Sequence, residues 1–199
     1  PPQTVLRSPS RPHHLVCHET TDAASVAERV AAANIVISNK VRITREAMQG
    51  ASQLRLIAVA ATGVNNVDIA AARELNIAVC NVRDYATHSL PEHTFALILN
   101  LRRSISAYHD SLARGRWSEA GQFCYFDFPI RDLAGATLGI IGFGALGRAV
   151  AALAKAFGMH VLVAEHKGAA AIRAGYVPFE KVLGHSDILT LHLPLQPAT

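Results

Sequence analysis

The sequence predicts an α/β protein built on parallel β-sheet, and three observations carry that reading. Short apolar runs alternate with helical stretches along most of the chain. One of those runs, Thr137-Leu138-Gly139-Ile140-Ile141, leads directly into Gly142-Phe143-Gly144-Ala145-Leu146-Gly147, a G-x-G-x-x-G turn. The turn opens a helical stretch, Arg148 to Phe157, and a second apolar run, Val161 to Ala164, ends on an acid, Glu165. Strand, glycine turn, helix, strand and acid, in that order, predict a Rossmann-type doubly wound parallel sheet.

Each part of the unit has a physical job. The first glycine allows the tight turn, the second lets backbone approach a pyrophosphate, and the third lets helix and strand pack closely. The helix N-terminus then offers N–H groups and a positive dipole end to phosphate. Glu165 stands 18 residues after Gly147, close to the spacing of about 20 expected of a ribose-binding acid. It would accept hydrogen bonds from ribose hydroxyls and repel a 2′-phosphate, favouring NAD over NADP, although His166 and Lys167 beside it pull the other way. A glycine-rich turn with no ligand is the bland alternative, and the flanking strands, helix and acid argue against it.

The bulk composition narrows the class. Half of the 199 residues are apolar and 17% are charged, enough to bury a core and too apolar for disorder. No apolar run is long enough to span a bilayer, and no signal-peptide pattern opens the sequence. The net charge of +4 comes from scattered basic residues, with no block or stripe suited to nucleic acid. Cys17, Cys80 and Cys124 fit neither a disulfide framework nor a zinc site, so reduced thiols and a cytoplasmic location are expected. The ten histidines show no metal-ligand spacing, and His13, His14 and His18 read as solvated in a Pro-rich beginning. No metal is expected.

Along the chain, residues 1–14 read as an extended lead-in, with Thr4-Val5-Leu6 the only candidate for a first strand. Leu15 to His18 is a candidate short strand, Ala23 to Ala33 a helix, and Ile35 to Ser38 a buried strand. Thr44 is placed to cap a short helix over Arg45 to Gly50. Leu54 to Ala60 reads as a strand, Val67 to Leu75 as a helix and Ile77 to Cys80 as a strand. A boundary falls near residues 82–90. Ser89 and Glu92 have capping-box spacing, with Pro91 tolerable in the first turn of a long helix running to Tyr108 or beyond. Residues 114–134 are loop-rich and aromatic. After Glu165 come a short segment at Tyr176-Val177, a helix over Phe179 to Leu183 and a strand over Asp187 to His192. From Thr137 on, about four strands are expected, the first half of a doubly wound domain that has about six.

Several runs together resemble the D-2-hydroxyacid dehydrogenases, most closely their glycerate dehydrogenase (hydroxypyruvate reductase) branch. They are Ser38-Asn39-Lys40-Val41, Ala60 to Asp68 (AATGVNNVD), Cys80-Asn81-Val82, Glu92-His93-Thr94, Leu138 to Arg148, and His192-Leu193-Pro194-Leu195. The resemblance covers about residues 20–199. It implies a flavodoxin-like substrate domain, partly present as residues 1–88, and the first half of an NAD domain, residues 89–199, whose long helix belongs to a dimerising arm.

Carried over by position, the resemblance implies that the backbone at Thr62 and Gly63 binds the substrate carboxylate, with Asn39 and Lys40 lining the same pocket. A solvated turn is the other reading of Asn39-Lys40. Thr94 would reach the nicotinamide side, the backbone of Ala145 and Leu146 the pyrophosphate, and Glu165 the adenosine ribose. His192, Leu193, Pro194 and Thr199 would flank the cofactor. The implied chemistry is reversible hydride transfer between NAD(H) and a small 2-hydroxy or 2-keto acid. The family's catalytic arginine, glutamate and histidine would follow Thr199, so the 199 residues alone are expected to be inactive, and poorly soluble unless an oligomer covers their exposed sheet edge. Arg102, Arg103, Arg148 and His93 fall instead on helix surface, near phosphate or in packing. Two other readings remain: a phosphoglycerate or formate dehydrogenase of the same family, or an NAD-sensing interaction protein without turnover. The absence of an arginine cluster near Ser38 to Val41 or Ala60 to Gly63 favours a substrate without phosphate.

Overall fold

A computed structural model describes residues 9–194. Expectations for Thr4-Val5-Leu6 and for Thr199 lie outside the described residues. The chain divides into two compact units, one up to Val82 and one from Arg83 onward.

Among the described residues the first unit holds a three-stranded parallel sheet, order β1-β2-β3, of Ile35–Ser38, Leu56–Val59 and Ala78–Asn81. The central strand is the most apolar, and Ile57 and Val59 are fully buried against the helices. Strand β1 was expected to be buried. It lies at the edge instead, and the two-residue period puts Ile35 (57% exposed) and Ile37 (62%) on its open face while Ser38 turns inward. Three short helices accompany the sheet, α1 Val26–Val30, α2 Arg45–Gln49 and α3 Ile69–Glu74. The Thr44 side chain caps α2 as its position suggested, accepting the Ala47 N–H at 3.4 Å. Asp68 caps α3 more closely, Oδ1 accepting the Ala71 N–H at 2.9 Å. Helix α1 is shorter than the Ala23 to Ala33 reading, and Leu15 to His18 form no strand. That segment is exposed throughout and has no burial to stabilise an extended pairing.

The second unit is a three-stranded parallel sheet, order β5-β4-β6, of Thr137–Ile141 (β4), His160–Val163 (β5) and Ile188–Leu191 (β6). The about four strands expected reduce, among the described residues, to three and one bridge, Ala164 to Val177. Leu138 and Ile140 of β4 are wholly buried against α7, Ala145–Ala156, whose inward face is Gly147, Val150, Ala151 and Ala154. Helix α4, Ser89–Arg102, packs on α7, and Phe95 stacks on Phe157 at 5.0 Å between ring centres.

Two expectations about α4 are corrected. Ser89 is its first helical residue, not its cap. His88 holds the cap position without a side-chain bond, so the Ser89–Glu92 capping box does not form. The chain already coils before Ser89, with the Leu90 N–H on Ala86 O at 3.0 Å. Pro91 sits in that first turn without cost, where its missing N–H has little to lose. The helix also ends sooner than Tyr108. Ser104 takes a left-handed conformation (φ 51°), and Asn100 Oδ1 accepts from the Ser106 N–H and hydroxyl at 3.0 and 2.8 Å, starting a separate helix α5, Ile105–Ala113. A further helix, α6 Arg116–Ala120, interrupts the loop-rich passage, and α8, Phe179–His185, precedes β6.

Candidate functional site

In the second unit the strand order reverses at β4. The chain leaves β4 to form β5 on one side, then crosses back to form β6 on the other. The crevice at the C-terminal ends of β4 and β6 is thus the place where such sheets take ligands. The glycine turn lies there. Gly142 has φ +94°, and a Cβ on it would stand 2.5 Å from the His192 carbonyl oxygen and 3.0 Å from Leu193 N. His192 and Leu193, fifty residues downstream, therefore form a wall against the turn, fixed by the His192 N–H on Ile141 O at 2.8 Å. Gly147 is equally constrained, since a Cβ there would drive into Gly142 O. Gly144 differs: nothing lies within 4 Å of where its Cβ would be. Two glycines are needed by the protein's own packing, and the middle one faces open space.

Helix α7 starts beside that space. Its N-cap is Gly144, with no side-chain cap bond, and its first turn closes with the Arg148 N–H on Gly144 O at 3.0 Å. The Ala145, Leu146 and Gly147 N–H groups precede that bond, as in any helix N-terminus. Arg148 reaches back to Phe143 O at 3.2 Å and braces the turn. An uncapped N-terminus, a middle glycine with room before it and a positive dipole end fit a dinucleotide pyrophosphate.

Glu165 ends the same layer, just after β5. It is 3% exposed, and four N–H donors of its own chain occupy its carboxylate. Oε1 accepts from the His166 N–H at 2.9 Å and Arg173 Nη2 at 2.6 Å; Oε2 accepts from Arg173 Nε at 2.7 Å and the Arg173 N–H at 3.1 Å. The paired guanidinium, then these backbone N–H groups, hold its carboxyl well below the usual carboxylate range, at about 2. The ribose-acceptor role expected of Glu165 thus meets a carboxylate already saturated. Arg173 stacks over Tyr176 at 3.9 Å, and Tyr176 meets Phe143 edge-on at 6.2 Å. Sequence reasoning passed over Arg173. No spacing rule links an acid to an arginine eight residues on, and only the loop between them brings the two together.

Of the other expected cofactor residues, Thr94, His192 and Leu193 are half-buried and Pro194 is exposed. Thr94 donates its hydroxyl to Leu90 O at 2.9 Å, within α4. His192 Nε2 lies 2.9 Å from Thr190 Oγ1, and burial pushes its pKa down. Pro194 follows Leu193 at the surface.

In the first unit the expected substrate residues share one edge of the sheet. Asn39 and Lys40 follow β1, and Thr62 and Gly63 follow β2, all exposed at the C-terminal ends of parallel strands. Thr62 is held by its hydroxyl on Val82 O (3.0 Å) and by Asn81 Nδ2 on its carbonyl (2.7 Å). Asn66 ties the two loops, its Nδ2 donating to Val41 O at 3.1 Å. Among the described residues no group of His, Cys, Asp and Glu could hold a metal ion, and no helix is long and apolar enough to cross a membrane.

The parallel sheet with its glycine turn at the strand-order reversal defines a dinucleotide-binding protein of the Rossmann class. Residues 95–199 match the family model described as D-isomer specific 2-hydroxyacid dehydrogenase, NAD binding domain. The chain belongs to the D-isomer specific 2-hydroxyacid dehydrogenase family, and its NAD-binding domain is that family's. It is 45% identical over 196 residues to a glycerate dehydrogenase of Methylorubrum extorquens, covering 98% of this chain and 61% of that one. It is 34% identical over 182 residues to a hydroxypyruvate reductase of Blautia hydrogenotrophica, covering 90% and 56%. The structure resembles an NAD-dependent formate dehydrogenase of Staphylococcus aureus in complex with NAD, with a TM-score of 0.71 and 28% identity, covering 88% and 53%. The chain spans about three-fifths of the length of the curated relatives it matches.

Proposed function

We propose that the protein is an NAD-dependent D-2-hydroxyacid dehydrogenase acting on a small acid of the glycerate/hydroxypyruvate or glyoxylate type. The observation that carries the reading is the turn from Gly142 to Gly147, where the outer glycines are needed for packing and the middle one opens onto a bare helix N-terminus. The Gly144, Ala145 and Leu146 backbone would hold the pyrophosphate, and His192 and Leu193 would wall the cofactor from the β6 side. NAD, when bound, supplies or accepts the hydride. The Thr62 and Gly63 backbone would take the substrate carboxylate, with Lys40 adding a positive charge and Asn39 a hydrogen-bonding side chain. Asn66 and Asn81 keep those two loops in place. No described residue is assigned the proton transfer. The glycerate dehydrogenase and hydroxypyruvate reductase names of two relatives support the substrate class.

The test is to mix the full-length protein with NADH and either hydroxypyruvate or glyoxylate and to follow NADH absorbance. Oxidation with either keto acid is expected. Tight NADH binding without turnover of either would instead favour an NAD-sensing role.

A homodimer formed through the second unit is part of the proposal. Helices α4 to α6 and the loop after them carry exposed Leu97, Leu101, Ile105 and Trp117, with Phe123 88% and Phe126 78% exposed, and large apolar side chains left open to water are what a subunit interface would cover. Light scattering should give a dimer mass, which Phe123→Asp with Phe126→Asp reduces to the monomer; a wild-type monomer would end this part of the reading. A cytoplasmic location is proposed from three free cysteines.

A further inference from the structure

We infer that Arg173, not the Glu165 carboxylate, is the group that meets the adenosine ribose, and that the site therefore admits a 2′-phosphorylated dinucleotide alongside NAD. The inference rests on the dinucleotide-site reading and goes beyond it to the selection between cofactors.

An acid at this strand end excludes NADP for two reasons. Its lone pairs take both ribose hydroxyls, and its charge repels a 2′-phosphate. Neither holds here. Each carboxylate oxygen of Glu165 already accepts two N–H bonds from its own chain, and the side chain is buried. Its charge is paired at 2.6 and 2.7 Å with a guanidinium in the two-pronged geometry that guanidinium and carboxylate share. A ribose could reach those oxygens only by displacing Arg173, at the cost of a charge-assisted pair.

What the surface presents instead is cationic. Arg173 is 54% exposed at the side chain, and Glu165 uses its Nε–H and one N–H of Nη2. A guanidinium has five N–H donors, so three remain for an outside acceptor. Stacking on Tyr176, which meets Phe143 of the glycine turn edge-on, fixes the guanidinium plane and links it through one ring to that turn. His166 and Lys167 follow Glu165 in the chain and are exposed, Lys167 Nζ lying 6.0 Å over the Phe179 ring. Glu165, His166, Lys167 and Arg173 together carry a net charge of +1 with the histidine neutral. Such a group favours a phosphate dianion where a lone carboxylate would reject it.

The test is to titrate the full-length protein with NADH and with NADPH at one ionic strength, following dinucleotide fluorescence. The two dissociation constants are expected to agree within about tenfold. In Glu165→Gln their ratio should move by less than about threefold, because the carboxylate is already neutralised. In Arg173→Gln the freed carboxylate should shift the ratio by about tenfold or more towards NADH. Should Arg173→Gln fail to fold, the wild-type ratio and Glu165→Gln decide the matter. Wild-type preference for NADH beyond about tenfold, or a shift of that size towards NADPH in Glu165→Gln, would overturn the inference while leaving the dinucleotide site intact. If neither dinucleotide binds, the dinucleotide-site reading falls and this inference with it.

Discussion

Replacing Gly142 by alanine separates a glycine needed by the fold from one needed by the ligand. The backbone at Gly142 has φ +94°, where a side chain costs about 1–3 kcal/mol. The new Cβ would also meet His192 O at 2.5 Å, His192 C at 2.7 Å and Leu193 N at 3.0 Å, against ordinary contact from 3.4 Å upward. All three neighbours are backbone atoms fixed by the pairing of β4 with β6, so none can rotate aside. Overpacking of this kind costs about 1–3 kcal/mol more. The sum, about 2–6 kcal/mol, should lower the melting midpoint of the unit carrying the turn by about 8–30 °C, at about 4–5 °C per kcal/mol for a unit of this size. Gly144→Ala is the control. Its φ of −76° suits alanine and its Cβ would meet nothing within 4 Å, so the midpoint should stay within about 2 °C of wild type. Its methyl group would stand between the helix N-terminus and the pyrophosphate, so NADH affinity should fall by about tenfold or more. Thermal melts and NADH titrations of the two variants decide the matter. A Gly142→Ala protein melting with wild type, or a Gly144→Ala protein as unstable as Gly142→Ala, would refute the reasoning.

Two further outcomes follow from the caps and charges. Asp68→Ala removes the side-chain cap of α3 and should cost about 1 kcal/mol in urea unfolding of the first unit, most of it restored by Asp68→Ser; an unchanged midpoint would show that the cap contributes nothing. Glu165, held at about 2 in the folded protein against an ordinary 4.5, stays ionised where the unfolded chain has already taken up a proton. Its stabilising contribution is therefore complete above about pH 4.5 and is lost as pH falls towards about 2. Acid unfolding of Glu165→Gln should be flatter than wild type across that window, and parallel curves would contradict the pairing.

How much of this was readable beforehand depends on the range of the interactions. The strand at Thr137–Ile141 was legible to the residue and the turn after it in outline, with α7 starting at Ala145 rather than Arg148, because apolar run, glycine spacing and helix are all local signals. The cap at Thr44 was legible for the same reason. The break at Ser104 was not, since it depends on the Asn100 side chain turning back onto Ser106, and apolar periodicity runs straight through it. The exposure of Ile35 and Ile37 was hidden too: β1 reads as buried until its place at the sheet edge is known. At the site, the identity of Glu165 was plain while its state was not. A sequence names an acid at a strand end but does not say whether that acid is free, and here an arginine from the following loop has taken it.

The wall that His192 and Leu193 raise against Gly142 has a consequence for how binding and folding are linked. The ligand turn is made from one stretch of chain and completed by another, with β6 the splint between them, tied at its far end by Asp187 Oδ2 on the Thr137 N–H at 2.8 Å. Whatever grips the turn also draws β6 onto β4, by simple mass action. Substitutions along β6 are therefore expected to weaken cofactor affinity through the turn, and a bound dinucleotide to act as a clamp on that strand.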